Sequence, residues 1–214
     1  MTWKRARSEE QRQYRISEIV NATARLYRKH SFEEISFTLI AKEAGFTRSN
    51  LYRYFSSKEE IFLAFLKQEI VALRRALVRN CQGREALSVE RFVSVWVETL
   101  SKRKRLLNLL SIMNSFLEKN VSEQCLVEFK RYANEELKAL STLLCQKFPA
   151  LSSEKAGEFI ELQLASAIGL YQITNLSEMQ QRVLEYPEFR PMKVDFSGYL
   201  QKAIECLLHG LMAS

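Results

Sequence analysis

GFTRSNLYRYFSSKEEIF, residues 45–62, places two tyrosines, three phenylalanines and two arginines in one short run. Arginine, asparagine and lysine interrupt its apolar pairs, so the run is expected to be partly exposed instead of forming a buried helix. A plain solvent-facing helix has no use for Tyr52, Tyr54 and Phe55 together. A flat, polar, negatively charged partner would use both the rings and the cations, and the flanking sequence bears on that choice.

On the N-terminal side, Ser36 is placed to cap a short helix whose inner face is Phe37, Ile40, Ala41 and Ala44. That helix is expected to stop at Gly45, a residue suited to a left-handed C-terminal position. Thr47 then caps a third, very short helix predicted to run through Phe55, with Leu51 and Phe55 on its buried side. Ser57 and Glu60 form a capping box that opens a long helix from Ser57 to Asn80, carrying Ile61, Phe62, Phe65, Leu66, Ile70, Leu73 and Leu77. Upstream, Ser8 with Gln11 reads as another capping box. It opens a helix from about Glu9 to Lys29 with Ile16, Ile19, Val20, Thr23, Leu26 and Tyr27 at helical spacing. Two short helices joined by a glycine-containing turn, with apolar residues on both sides, make a helix-turn-helix pattern. In such a unit the second helix lies in the DNA major groove. Tyr52 and Tyr54 suit that place because a phenol donates to a phosphate while its ring packs, and Arg48 and Arg53 reach phosphate or guanine.

The formal charge of +7 is unevenly distributed. Residues 1–58 hold twelve Lys and Arg against six Glu, whereas the other 156 residues hold twenty cations against nineteen acids. The excess sits in the first quarter of the chain, as expected if that quarter meets a polyanion; a solvated basic face is the alternative. Lys4, Arg5 and Arg7 form either an arm that follows a groove or a frayed terminus.

With six glycines and three prolines in 214 residues, the chain lacks the turn residues of a β fold, and an all-α protein is expected. Cys81, Cys125, Cys145 and Cys206 are too widely spaced for a metal or redox motif and are expected as free thiols. No run of about twenty apolar residues occurs, so a soluble, cytoplasmic protein without a membrane segment is expected. His30 and His209 are the only histidines, and no nucleophile elbow or carboxylate cluster stands out. The reading is therefore of a non-enzyme with no metal, no catalytic residue and no cofactor.

The residues from Ile16 to about Ile70 resemble the DNA-binding region of the TetR/AcrR family of bacterial transcriptional regulators. The resemblance is carried by the I-A-x-x-A-G-aromatic-T turn, the L-Y-x-Y-F recognition helix and the S-K-E-E opening of the next helix. It covers about a quarter of the chain closely and the helical remainder only in general character. The chain departs from the family at Ser31, where glycine usually precedes the aromatic read here as Phe32. The resemblance implies an N-terminal three-helix DNA-binding domain at residues 1–56, a connecting helix at 57–80 and a larger helical ligand-binding and dimerisation domain at 81–214. It also implies that Arg48, Ser49 and Asn50 face base edges while Thr47, Tyr52, Tyr54 and Lys58 grip phosphates. Thr38 and Arg53 complete the candidate set for double-stranded DNA.

Beyond residue 80 the pattern is less diagnostic. Asn80 to Ala86, with Gly83, reads as a linker, followed by helices at roughly 88–101, 104–119, 123–147, 153–175 and 195–212, with Pro149, Pro187 and Pro191 in the breaks. Trp96, Met113, Phe116, Phe129, Tyr132 and Tyr171 are the candidates for the wall of a small-molecule effector site, with plain core as the alternative for each. The small residues Ala165, Ser166, Ala167 and Gly169 and the apolar stripe from Phe196 to Leu211 point to a four-helix homodimer interface, or to burial within one chain. The functional expectation is a repressor released from an inverted-repeat operator by a small molecule. The alternative is a DNA-bound structural or division-control protein that answers to a protein partner.

Overall fold

The computed structural model describes the backbone of residues 2–81 and 87–213, and side chains from Glu9 onward within them. Ten α-helices lie among these residues: α1 Thr2–Leu26, α2 Phe37–Ala44, α3 Arg48–Leu51, α4 Lys58–Cys81, α5 Val89–Ser101, α6 Lys104–Ile112, α7 Glu123–Lys147, α8 Ser153–Thr174, α9 Glu178–Val183 and α10 Phe196–Ala213. No strand occurs among them, as the composition predicts. The chain forms two compact units, one of Met1–Gln68 with Ile112–Lys130 and one of Glu69–Ser111 with Arg131–Ser214. Most of the expected linker, residues 82–86, lies outside the described residues, while Asn80 and Cys81 close α4.

In the first unit, α1 packs on α2 and α2 on α3. Ile19, Val20, Leu26, Ile40, Leu51, Phe55, Ile61 and Phe62 are all buried there. Edge-to-face aromatic pairs tie α4 to the chain leaving α1, with Phe62 lying 5.3 Å from Tyr27 and 4.9 Å from Phe32. Such pairs add about 0.5–1.5 kcal/mol beyond the area they bury. Residues 112–130 join this unit through Phe116, 5.9 Å from Phe32, and through Asn120, whose carbonyl accepts from the Ser57 hydroxyl at 3.4 Å.

In the second unit, α10 packs on α8 and α5. Its core is centred on Trp96, which stands 5.3 Å from Phe92 and 5.7 Å from Phe159. The indole N–H donates to Gln163 Oε1 at 3.0 Å, and Gln163 returns its amide to the Ile160 carbonyl at 3.1 Å. A buried glutamine and a buried indole thereby satisfy each other, which removes the cost of leaving either unpaired.

Four elements differ from the sequence expectation. α1 begins at Thr2, so Ser8 lies inside the helix and is no cap; residues 2–8 contain no Gly or Pro, and their Lys, Arg and Ala propagate the helix. α3 ends at Leu51 instead of Phe55, because Arg53 and Tyr54 bond back three residues, to Asn50 and Leu51, in a tightened turn. α6 stops at Ile112 and is followed by a π-helical segment, Met113–Leu117, and a 3-10 turn, Glu118–Asn120, where one continuous helix to 119 is expected. α9 is an addition between α8 and Pro187, opened by a full capping box of Ser177 and Gln180. Ser31 at the exit of α1 needs no glycine: no described non-glycine residue has positive φ, and the Ser31 N–H donates to Glu34 Oε2 at 2.7 Å. That bond holds the Glu34 carboxyl below the usual carboxylate range.

Candidate nucleic-acid interface

The turn between α2 and α3 is set by local chemistry. The Ser36 hydroxyl accepts from the Leu39 N–H at 3.1 Å and starts α2. Gly45 ends it in the left-handed conformation, φ 73°, and the Phe46 N–H bonds to the Ala41 carbonyl at 2.8 Å. Thr47 Oγ1 accepts from the Asn50 N–H at 3.2 Å and starts α3. Leu51 and Phe55 anchor this short helix in the core. The opposite face is thereby fixed outward.

On that face Thr38, Thr47, Arg48, Ser49, Tyr52 and Arg53 are exposed, while Asn50, Tyr54 and Lys58 are half-buried. The side chains support one another. The Thr47 and Ser49 hydroxyls share a hydrogen bond of 3.1 Å. Arg48 Nη2 donates to Tyr52 Oη at 3.2 Å, with its guanidinium carbon 5.7 Å from the centre of that ring. The Tyr52 ring stacks 4.5 Å from Phe37, the residue beside Thr38, and so bridges α2 and α3. Phe46 supports Tyr54 edge-on at 5.9 Å. These contacts spend ring faces on packing and leave hydroxyls and cations pointing outward, the division that phosphate and base-edge contacts require.

Arg53 and Tyr54 lie apart from this cluster, in an open cleft shared with Arg12, Tyr14 and Arg15 of α1. Arg15 also stands 5.8 Å over the Phe46 ring and pairs with Glu18 at 2.7 Å. The sequence reading omits Arg12 and Arg15 from the candidate set; their three-residue spacing on one helix face is the signal that would have found them. Lys58 is placed differently from the free phosphate cation expected. Its Nζ donates to the carbonyls of Phe32 at 2.9 Å and Ile35 at 3.0 Å and sits 4.1 Å from the Phe32 ring centre. Two of its three N–H donors are therefore used in closing the connection between α1 and α2. The side chains of Lys4, Arg5 and Arg7, within α1, lie outside the described residues.

The six effector-site candidates divide between the units. Met113, Phe116 and Phe129 belong to the first, and Trp96, Tyr132 and Tyr171 to the second. Trp96 is a saturated core residue. Phe129 lines a cleft of about 480 Å³ floored by Ile16, Val20 and Leu63. Tyr171 lines a cavity of about 250 Å³ with Leu107, Asn175 and Phe196, and burial pushes its phenol above the ordinary value. Burial likewise raises the Tyr132 phenol.

Residues 19–65 match the family model described as bacterial regulatory proteins, tetR family, and residues 66–214 match the tetracyclin repressor-like C-terminal domain. A curated relative, an uncharacterized HTH-type transcriptional regulator YfiR of Bacillus subtilis (strain 168), is 28% identical over 98 residues. That alignment spans 46% of each chain, about half the length of the curated relative. Among solved structures, a transcriptional regulator from Rhodococcus sp. Rha1 superposes with a TM-score of 0.60 at 19% identity, covering 91% of this chain and 96% of that one. The Thermus thermophilus FadR structure, a TetR-family repressor in complex with lauroyl-CoA, gives 0.60 at 22% identity and covers 92% and 94%. Low identities of this kind speak to the fold, and the family models speak to the lineage. Two family models that together take in residues 19–214, over a capped helix-turn-helix with an outward polar face, show that the chain belongs to the TetR family of transcriptional regulators.

Proposed function

We propose that the protein is a homodimeric repressor that binds an inverted-repeat operator and leaves it when a small molecule binds. The observation that carries the reading is the face of α3, where buried Leu51 and Phe55 hold Arg48, Ser49 and the Thr47 cap outward in the most basic quarter of the chain. In this reading Thr38, Arg48, Ser49 and Asn50 meet base edges. Thr47, Tyr52, Arg53, Tyr54 and the remaining N–H of Lys58 meet phosphates. Functionally we divide the chain into a reader at 1–56, a connecting helix at 57–80 and an effector and dimer region at 81–214. Support for dimerisation comes from the outer surfaces of α8 and α10, where Leu162, Gly169 and Ile173 on one helix and Tyr199, Cys206 and Gly210 on the other are exposed. A Cβ at Gly169 or Gly210 would meet nothing within 4 Å. Small residues on two neighbouring helices allow a second pair to approach closely.

The effector is proposed as an apolar or aromatic molecule, and long-chain acyl-CoA joins the candidates because the FadR structure holds lauroyl-CoA. The ligand acts by favouring a conformation in which the two recognition helices no longer match their half-sites. Selection from random DNA with the full-length protein is the test. Inverted half-sites about one helical turn or a multiple apart are the expected result, and enrichment of asymmetric sites alone would overturn the reading.

A further inference from the structure

Five large apolar side chains, Met179, Val183, Tyr186, Phe189 and Met192, lie exposed on α9 and the chain that follows it, from 38% at Phe189 to 68% at Met179. The segment is nonetheless ordered by its own polar contacts. Ser177 and Gln180 close a capping box, Gln181 Nε2 donates to the Leu176 carbonyl at 2.8 Å, and Lys193 pairs with Glu185 at 2.7 Å. Polar groups are thus satisfied inside the segment while its apolar groups face out, the reverse of what a single copy in water favours. Its charges balance, with Glu178, Glu185 and Glu188 against Arg182, Arg190 and Lys193. Such a surface does not attract nucleic acid, and two copies can meet across a two-fold axis without net repulsion.

We propose that residues 176–194 form a dimer arm, covered by the α8, α10 and arm surface of a second copy. The inference rests on the dimeric reading above and extends it beyond the helix pair. Continuity supports it, because Ile173 of the α8 face also lines a groove of about 220 Å³ beneath the arm, with Leu176, Leu184 and Met192. So does area. The five arm residues, together with Leu162, Ile173 and Tyr199, are eight large side chains each about half exposed. The three aromatics, at roughly 200 Å² each and half exposed, present about 300 Å², and with the five aliphatic side chains the patch supplies a large share of the roughly 800 Å² that one partner gives to a standard stable interface.

The test is the dimer dissociation constant of the full-length protein by sedimentation velocity, for wild type, Tyr186→Glu, Met192→Glu and Gly169→Trp, with a thermal melt of each. All the altered positions are open to solvent in one copy, so the arm variants are expected to fold and to weaken the dimer at least tenfold. A wild-type monomer at micromolar concentration would overturn the dimeric reading itself. A wild-type dimer that Gly169→Trp dissociates, with both arm variants unchanged, would leave that reading standing and overturn the arm. Hydrogen exchange of the wild type above and below its dissociation constant gives a measurement free of folding defects. Protection of residues 178–192 only in the dimer is expected, and equal exchange in both states would overturn the proposal.

Discussion

At the scale of single residues, Lys58 separates two roles that sequence reading merges. Its ammonium bonds two carbonyls of the α1–α2 connection, so Lys58→Met leaves both acceptors without that partner. Hydrogen bonds to charged groups are worth roughly 1.5–3 kcal/mol each, but in this half-buried place water takes over part of the pair, and the expected cost is about 2 kcal/mol. For a chain of this length that corresponds to a melting temperature lowered by about 4–8 °C. If its last N–H also meets phosphate, the slope of log binding against log salt flattens by about 0.9 in the same variant. An unchanged melting temperature would show that the clamp contributes nothing. Arg48→Ala and Asn50→Ala belong to a different class. Each is expected to relax base preference at one operator position by about 1–3 kcal/mol, read by competition between single-base operator variants. Arg48→Ala also releases Tyr52 Oη, so its loss of affinity should include a part common to all sequences.

At the scale of elements, the α2–α3 turn depends on three residues whose work is local: Ser36, Gly45 and Thr47. Gly45 sits at φ 73°, where a Cβ would meet nothing within 4 Å, so substitution there acts through backbone conformation alone. Gly45→Ala is expected to cost about 1–2 kcal/mol, and Gly45→Asn less, since asparagine tolerates the left-handed region better. Ser36→Ala removes the acceptor for the Leu39 N–H and should cost about 1 kcal/mol. Urea unfolding midpoints at constant slope measure both. A Gly45→Ala protein as stable as wild type would contradict the left-handed cap. Such variants lose DNA affinity only to the extent that the turn loosens, because none of the three side chains reaches into the recognition face except Thr47.

At the scale of the whole molecule, the proposed effector response has a thermodynamic signature independent of structural detail. A ligand that weakens operator binding a hundredfold must bind the operator-bound protein a hundredfold less tightly than the free protein, a coupling of about 2.7 kcal/mol. Calorimetric titration of both states with acyl-CoA and with aromatic amphipaths is the measurement. Unequal affinities in that ratio are expected for a true inducer. Equal affinities, for a ligand that demonstrably binds, would exclude that ligand. Failure across the panel, combined with occupancy of many genomic sites, would favour the structural alternative in which a protein partner sets DNA binding.

Sequence alone determined the helical class, the helix-turn-helix and its family, because these follow from interactions within about four residues. Caps at Ser36 and Thr47, the glycine stop at 45 and the spacing of Leu51 with Phe55 are written in adjacent letters. α9 is written in the same way, through Ser177 and Gln180, but it is only six residues long and Pro187 and Pro191 follow it closely, so the segment reads as a plain break. Only the tertiary structure decided where the long side chains go. The Lys58 ammonium finds carbonyls 26 and 23 residues away, Tyr52 stacks on Phe37 of the preceding helix, and Trp96 meets Gln163 across 67 residues. It also decided that Met113, Phe116 and Phe129 join the compact unit that carries α2 and α3 while Trp96, Tyr132 and Tyr171 do not. Apolar periodicity shows that a face is buried but carries no record of its partner, since the hydrophobic effect is non-directional and the partner is chosen by packing between distant segments.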